Sequence, residues 1–561
     1  MTSFEQDDEM MLRARRLAVF MLMPLALVAC DDKDPSGPDA LAAPTGVTAQ
    51  SIGTTSIEVT WNAVAGASSY RIERAQGTGG FVAAGTSTST THTDNDLQPA
   101  TAYRYRVAAV RGSEQSGFSA EATATTGEAG PKAATVTGNI TRNRTFYSDT
   151  VYTLSGFVRV QSGATLTIQP GTLIRGDSAV AGSALFILPG AKINAVGTAD
   201  SPIVFTSGRN ANRRPGDWGG VVIVGRGIVN TTGDRIVEGS DALGSQGILY
   251  SGGTNNADNS GELRYVRIEF AGYAVAPNVE LNSLTLAAVG SGTKLEYVQT
   301  LAGLDDSFEW FGGAVDGKYL VSYESGDDHF DMSEGYVGRL QHLIAYQTQV
   351  LDPRPGTGGI SSDPQGMEND GCDGAQCAQG HASTPMSAPV VANFTLIGRG
   401  DAATMSSGGD IGMVLRRGMG GHYVNGVLGR WPRAAISVRD AQTQTNIANG
   451  DLTINNILVS ESGPLFQPGQ QVGVDSVANA IIRTANTTAS LFASVPTQPA
   501  TTAQIDWSLS ANSPARDGGL NAFTGKLQTK AGTFVTPTTY RGAADPTGPK
   551  WWQGWTRYIV N

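Results

Sequence analysis

Between residues 263 and 344 the chain repeats one short phrase of alternating aliphatic and polar residues. It reads Leu263-Arg264-Tyr265-Val266-Arg267-Ile268, then Leu295-Glu296-Tyr297-Val298, Lys318-Tyr319-Leu320-Val321, and Leu340-Gln341-His342-Leu343-Ile344. Alternation with period two predicts strands with one buried face. The text between these strands is periodic too. Asp305, Asp306, Phe308, Glu309, Gly313 and Val315 are matched 22 residues later by Asp327, Asp328, Phe330, Asp331, Gly335 and Val337. Six matches in one register predict a solenoid in which each coil stacks a strand on the one before. Stacking at the inter-strand spacing of about 4.8 Å places the doubled aspartates one above the other, as an acidic ladder along one edge.

The same patterning extends outward. Leu166-Thr167-Ile168-Gln169-Pro170-Gly171 and Phe186-Ile187-Leu188-Pro189-Gly190 alternate up to a Pro-Gly turn, and the 19 residues from Pro170 to Pro189 read as one coil. Gly/Asn/Asp-rich inserts interrupt the pattern near residues 231–260 and 350–387. Loops of that length in a compact fold are usually functional or disordered; both flank the acidic coils in sequence and are placed to wall a cleft. Residues 44–127 differ. Short runs such as Ile57-Glu58-Val59-Thr60-Trp61 and Tyr103-Arg104-Tyr105-Arg106-Val107, separated by turn-rich text, predict a β-sandwich. The fold class is therefore all-β, with a linker at 128–134 and the solenoid over 135–561.

Two resemblances sharpen this. Pro44, Trp61, Tyr70 and the run Leu97-Gln98-Pro99-Ala100-Thr101-Ala102-Tyr103 resemble a fibronectin type III domain and its tyrosine corner. Gly216-Asp217-Trp218-Gly219-Gly220, Asn393-Phe394-Thr395-Leu396-Ile397-Gly398 and Tyr540-Arg541-Gly542-Ala543 with Trp551, Trp552 and Trp555 resemble right-handed parallel β-helix proteins of an exported bacterial lipoprotein family. The resemblance implies fold and export, and carries no activity. The C-terminal tryptophans are expected to cap the last coil, whose open strand edges need cover.

Residues 1–29 read as a secretory signal: Arg13, Arg15 and Arg16 precede the apolar run Leu17–Ala29, too short to span a bilayer. Acidic residues before Met10 point to translation starting at Met10 or Met11. The run ends in Leu27-Val28-Ala29-Cys30, which resembles a lipobox and implies lipidation of Cys30, with residues 30–43 as an acidic, Pro/Gly-containing tether. The expected location is the cell envelope, at the outer membrane or cell surface; Asp31 and Asp32 fit either an inner-membrane retention signal or a surface-export signal. A net charge of −11 argues against a nucleic-acid partner, and 71 glycines with 16% charged residues suit many tight turns around a large interior. Cys372 and Cys377, in one loop of an exported protein, are expected to form a disulfide.

Asp305, Asp306, Glu309, Asp327, Asp328 and Asp331 carry the candidate chemistry. Six carboxylates on two coils repel, and three readings remain open. They bind Ca²⁺, which takes six to eight oxygen ligands; they are a solvated edge capping turns; or they catalyse. In the first reading the protein binds a glycan or another surface ligand, with calcium assisting. The catalytic alternative is a polysaccharide lyase or glycoside hydrolase using Asp306, Asp328, His329 as acid or base, and Arg339 or Lys318 as base. The doubled aspartates resemble a polygalacturonase carboxylate set, but the histidine fragments Gly380-His381-Ala382 and Gly421-His422-Tyr423 lack the second glycine of that pattern. A structural surface component without catalysis is the third class.

Overall fold

The computed structural model describes residues 40–128, 132–240, 247–250, 252–276, 279–400, 407–470 and 473–558. Cys30, the signal and most of the tether lie outside the described residues. The chain divides into two compact units, residues 1–130 and 131–561.

In the first unit, Thr48–Ser51, Ile57–Thr60 and Thr91–Asp94 form one antiparallel sheet, and Val82–Ser87, Ser69–Gln76 and Ala102–Arg111 form the body of the other. Alternate residues of both meet in a core that includes Val59, Trp61, Ile72, Tyr105 and Val107. The Tyr103 hydroxyl accepts the backbone N–H of Gln98 at 2.9 Å, closing the tyrosine corner. This is a fibronectin type III sandwich.

The second unit is a parallel β-helix. Its parallel pairings form one continuous 25-stranded network that winds through three faces, here the first, second and third sheets. Strands Gly261–Glu269, Lys294–Leu301, Asp316–Tyr323, Arg339–Tyr346 and Val390–Ile397 each contribute to the first sheet, bend, and continue into the second. Leu263, Leu295, Gly317, Leu340, Val391, Tyr423 and Ile454 are in register up the first sheet. The third sheet holds Leu284–Ala287, Phe308–Phe311, Phe330–Ser333, Glu368–Asp370 and Ile411–Arg416. Its inner face fixes the register by size and shape, with Phe308 stacked on Phe330 at 5.4 Å.

The bend between first and second sheets is a single left-handed residue on each coil. Tyr265, Tyr297, Tyr319, His342 and Asn393 occupy it with φ between 50° and 64°. For a non-glycine residue that conformation costs roughly 1–2 kcal/mol. Stacking offsets it: the first four rings follow one another at 4.4, 4.5 and 5.0 Å. Trp555 lies edge-on to Tyr265 and Tyr297, and Trp551 lies 5.1 Å from Tyr319. The C-terminal tryptophans therefore cover an aromatic column along the side of the helix, on middle coils, and do not cap its last coil.

The Pro-Gly period is also corrected. Thr165 pairs with Lys192, so that coil has 27 residues, and Pro170 and Pro189 occupy different corners of it. The 22-residue spacing belongs to the middle coils, where Leu295 meets Gly317 and Phe308 meets Phe330. The parallel pairing begins at Lys132, inside the stretch read as linker.

Candidate functional site: a carboxylate row on the third sheet

The doubled aspartates stand in the turn that enters the third sheet. Gly326 allows two such turns to stack, because a Cβ there would lie 1.8 Å from the Leu304 carbonyl oxygen. Side chains in the first column tie each coil to the next. Asn282 Oδ1 accepts the N–H of Asp306 at 3.2 Å, and Asp306 Oδ1 accepts the N–H of Asp328 at 2.8 Å. Asp328 Oδ1 accepts the N–H of Gln365, and Gln365 Oε1 accepts that of Ile411 at 3.0 Å. Asp306 and Asp328 are thus inter-coil ties with 6% and 4% of their surface exposed. A solvated edge does not describe them.

A second column rises on the outward face, where register places Thr285, Glu309, Asp331 and Glu368 one above another. With Glu238, Glu280, Asp305 and Asp327, the two columns form four overlapping carboxylate groups: Glu238–Glu280–Asp305, Asp305–Asp306–Asp327, Asp306–Glu309–Asp331 and Asp328–Asp331–Glu368. In each, one oxygen per residue lies within 4.8 Å of the others. Oxygens that share a calcium at 2.3–2.6 Å fall within that separation. Oδ1 of Asp327 and Oδ1 of Asp331 are buried with no hydrogen-bond partner. Hard oxygens, several to a group and two of them unpartnered, fit Ca²⁺.

Crowding raises the affinity of the row for protons. Burial, then the neighbouring carboxylates, pushes Asp305, Asp306, Glu309, Asp328 and Asp331 well above the usual carboxylate range. Burial likewise lifts Asp327 and Glu238 to about 7 and Glu368 to about 8.

Positive charge meets the row at its upper end. Arg416 donates to Asp370 Oδ1 at 2.9 Å and to Glu368, and Arg417 donates to Asp370. Burial opposes the Arg416 charge, but Asp370 and Glu368 outweigh it and hold the guanidinium protonated. Arg416 is therefore poorly suited to take a proton.

His329 and Arg339 stand elsewhere. The His329 ring is buried, with Nδ1 2.6 Å from Ser322 Oγ, and burial lowers its pKa to about 3. It is neutral at physiological pH and turned to the second-sheet strand. Arg339 sits on the first sheet, paired with Asp316 and 5.1 Å from the Phe534 ring centroid. Lys318 lies 4.6 Å from the same ring centroid. None of these three joins the carboxylate groups.

Glu238, Glu280, Glu368 and Arg416 belong to the site and were not found by the 22-residue register. A 24-residue register would have aligned Asn282-Ser283-Leu284-Thr285 with Asp306-Ser307-Phe308-Glu309, as the strand pairing does. Glu368 is hidden by the insert that precedes it, since Asp331 pairs with Glu368 across 37 residues.

The inserts meet beside the row. Asn230 Nδ2 donates to the Gly371 carbonyl at 2.9 Å, and the N–H of Thr232 donates to the Gln376 carbonyl at 2.9 Å. Arg235 bridges Gln376 and Glu334, and the Tyr250 hydroxyl donates to Glu334 at 2.8 Å. A disulfide joins Cys372 to Cys377 in this contact region.

Residues 138–507 match the family model described as a pectate-lyase-like β-helix domain. The chain belongs to that family. Ahead of the pectate-lyase-like domain, residues 42–125 match the fibronectin type III domain model. Solved structures similar to the chain include FN3tt, at 22% identity over 16% of this chain and 97% of that one, with a TM-score of 0.15. They also include an Fn3-like protein from Clostridium thermocellum, at 35% identity over 16% of this chain and 98% of that one, TM-score 0.15. The FN5 domain of Drosophila Lar matches at 22% identity over 16% of this chain and all of that one, TM-score 0.15. No curated protein matches the chain. A pectate-lyase-like β-helix suggests a surface or polysaccharide-related role.

Proposed function

We propose that the carboxylate row binds calcium and, through it, an acidic polysaccharide, on a protein held at the bacterial envelope by a lipid on Cys30. The observation that carries this is the set of four overlapping carboxylate groups with the unpartnered oxygens of Asp327 and Asp331. So many buried acids cannot all ionise without a counter-charge. A hard divalent cation supplies one, and its remaining coordination positions are open to carboxylates of a uronic-acid chain. Asp306 and Asp328 keep the coils in register, while Glu309, Asp331 and Glu368 stack in register on the outward face of the sheet.

Binding is favoured over lyase chemistry by one feature. Arg416, the cation tied to Glu368 in the row, is held protonated by the acids it pairs with. The test is affinity electrophoresis of the full chain through polygalacturonate, with calcium or with chelator. Retardation that requires calcium and disappears in Asp331→Asn is expected. Equal mobility under both conditions would refute the proposal, and release of unsaturated sugar would favour the enzyme.

A further inference from the structure

A pocket of about 510 Å³ opens on the outer face of the first sheet near its C-terminal end. Its floor is His422, Thr453 and Asn455, which share the outward face because Gly421–Val424 pairs with Leu452–Asn455 in register. On the same face, Val390, Ala392 and Val424 are covered by Phe523 and Leu527 of the C-terminal segment, with helix Gly525–Ala531 lying across it. One wall is the start of the helix; the turns around Asn449 and Asn479 form the others.

The lining is polar and electrically balanced. Lys526 reaches over it, but its Nζ is bound by Asp451 at 2.7 Å and by the Asn449 carbonyl at 3.0 Å. Burial lowers the His422 pKa to about 4, so the ring is neutral at pH 7. Among the described residues, neither a free cation nor a free carboxylate lines the pocket, which disfavours an ionic ligand. Nor, among the described residues, does any aromatic ring other than the imidazole line it.

The floor leaves hydrogen-bonding capacity unused. Nδ1 of His422 lies 2.8 Å from Thr453 Oγ1, whereas Nε2 is buried with no partner. An unpaired buried polar group costs about 1–3 kcal/mol. If Nδ1 accepts from Thr453, Nε2 carries the proton and donates; in the other tautomer it accepts. A hydroxyl satisfies either state. The Asn455 amide, half-buried beside it, is engaged by no other described residue and offers a donor and an acceptor together. An amide of that kind pairs with adjacent hydroxyls of a ring, one accepting and one donating.

We infer that this pocket is a binding site for a neutral saccharide unit, held by His422, Asn455 and the amide-rich rim. It lies on a different sheet from the carboxylate row and requires no metal.

Isothermal titration of the full chain in chelator tests this, with neutral gluco-, manno-, xylo- and N-acetylglucosamine oligosaccharides as probes. Chelator silences the calcium proposal, so the two readings fail separately. Saturable binding of at least one probe is expected, weakened tenfold or more in Asn455→Ala. Ala522→Trp, which adds bulk at the exposed rim, is expected to abolish it, and Asp331→Asn to leave it unchanged. Unaltered melting checks that both pocket variants are folded. Absence of saturable binding by every probe, or binding indifferent to both pocket variants, would overturn the inference.

Discussion

Asp306 Oδ1 accepts the backbone N–H of Asp328, one coil above, at 2.8 Å. The two residues that look like paired catalytic carboxylates are thus joined through the main chain, and the bond needs an oxygen but no charge. Asn282 makes the same contact one coil below. Asp306→Asn is therefore expected to keep the tie and, in chelator, to raise the melting temperature by relieving repulsion. Asp306→Ala strands the Asp328 N–H and is expected to cost about 1–3 kcal/mol. Thermal unfolding of both variants checks this, and equal destabilisation would contradict the role given to the oxygen.

The row also fixes a pH dependence. Asp327 and Glu238, lifted to about 7, and Glu368, lifted to about 8, bind protons more tightly folded than unfolded, where carboxylates titrate near 4. Their stabilising contribution is complete below pH 4 and is lost as pH rises through the folded values. Between pH 5 and 8 the chelated protein should lose stability, by up to about 1.4 kcal/mol per pH unit for each proton difference. Denaturant titrations across that range measure it. A stability that rises with pH in chelator would show that the acids are relieved by protein groups alone.

Calcium should reverse that trend, because it competes with the same protons. At a hundredfold excess over Kd, stabilisation of about 2.7 kcal/mol is expected from linkage. Glu309→Gln with Asp331→Asn should remove most of it while leaving the chelated protein at least as stable. Calorimetry with and without calcium is the measurement, and an unchanged calcium response in the double variant would move the site elsewhere.

The insert contact makes a further expectation. Gln376 bridges to Thr232 and Arg235, and Cys377, beside it, is tied to Cys372. Replacing both cysteines with serine should speed amide hydrogen exchange at 230–236 and 371–377, with the coil strands unaffected. Uniform exchange throughout the β-helix in the variant would instead give the disulfide a global role.

In the first unit, Tyr103→Phe removes the acceptor of the Gln98 N–H. A loss of about 1–3 kcal/mol is expected for the sandwich, read from tryptophan fluorescence of the fibronectin-like transition. A cost near zero would mean that water replaces the corner.

Period-two alternation around Leu263, Leu295 and Leu343 made the coil strands legible, because each inward position must be apolar whatever its neighbours are. The aspartate register was legible for the same reason, since identical coils repeat identical turns. Its burial was not. Whether Asp306 faces water or the coil above depends on the turn geometry, and the alternation is blind to that. Glu238 reaches the row from an insert and Glu368 enters after one, so no fixed spacing points to either. His329 and Arg339 looked like partners by proximity in sequence, yet strand direction sends one inward and the other to a different sheet. The pocket at His422 joins strands near residues 422 and 453 to a helix starting at 525, which only folding brings together. Sequence determined the repeating strand, because its rule is local and periodic; tertiary structure decided the sites, because their residues meet across coils and inserts of unequal length.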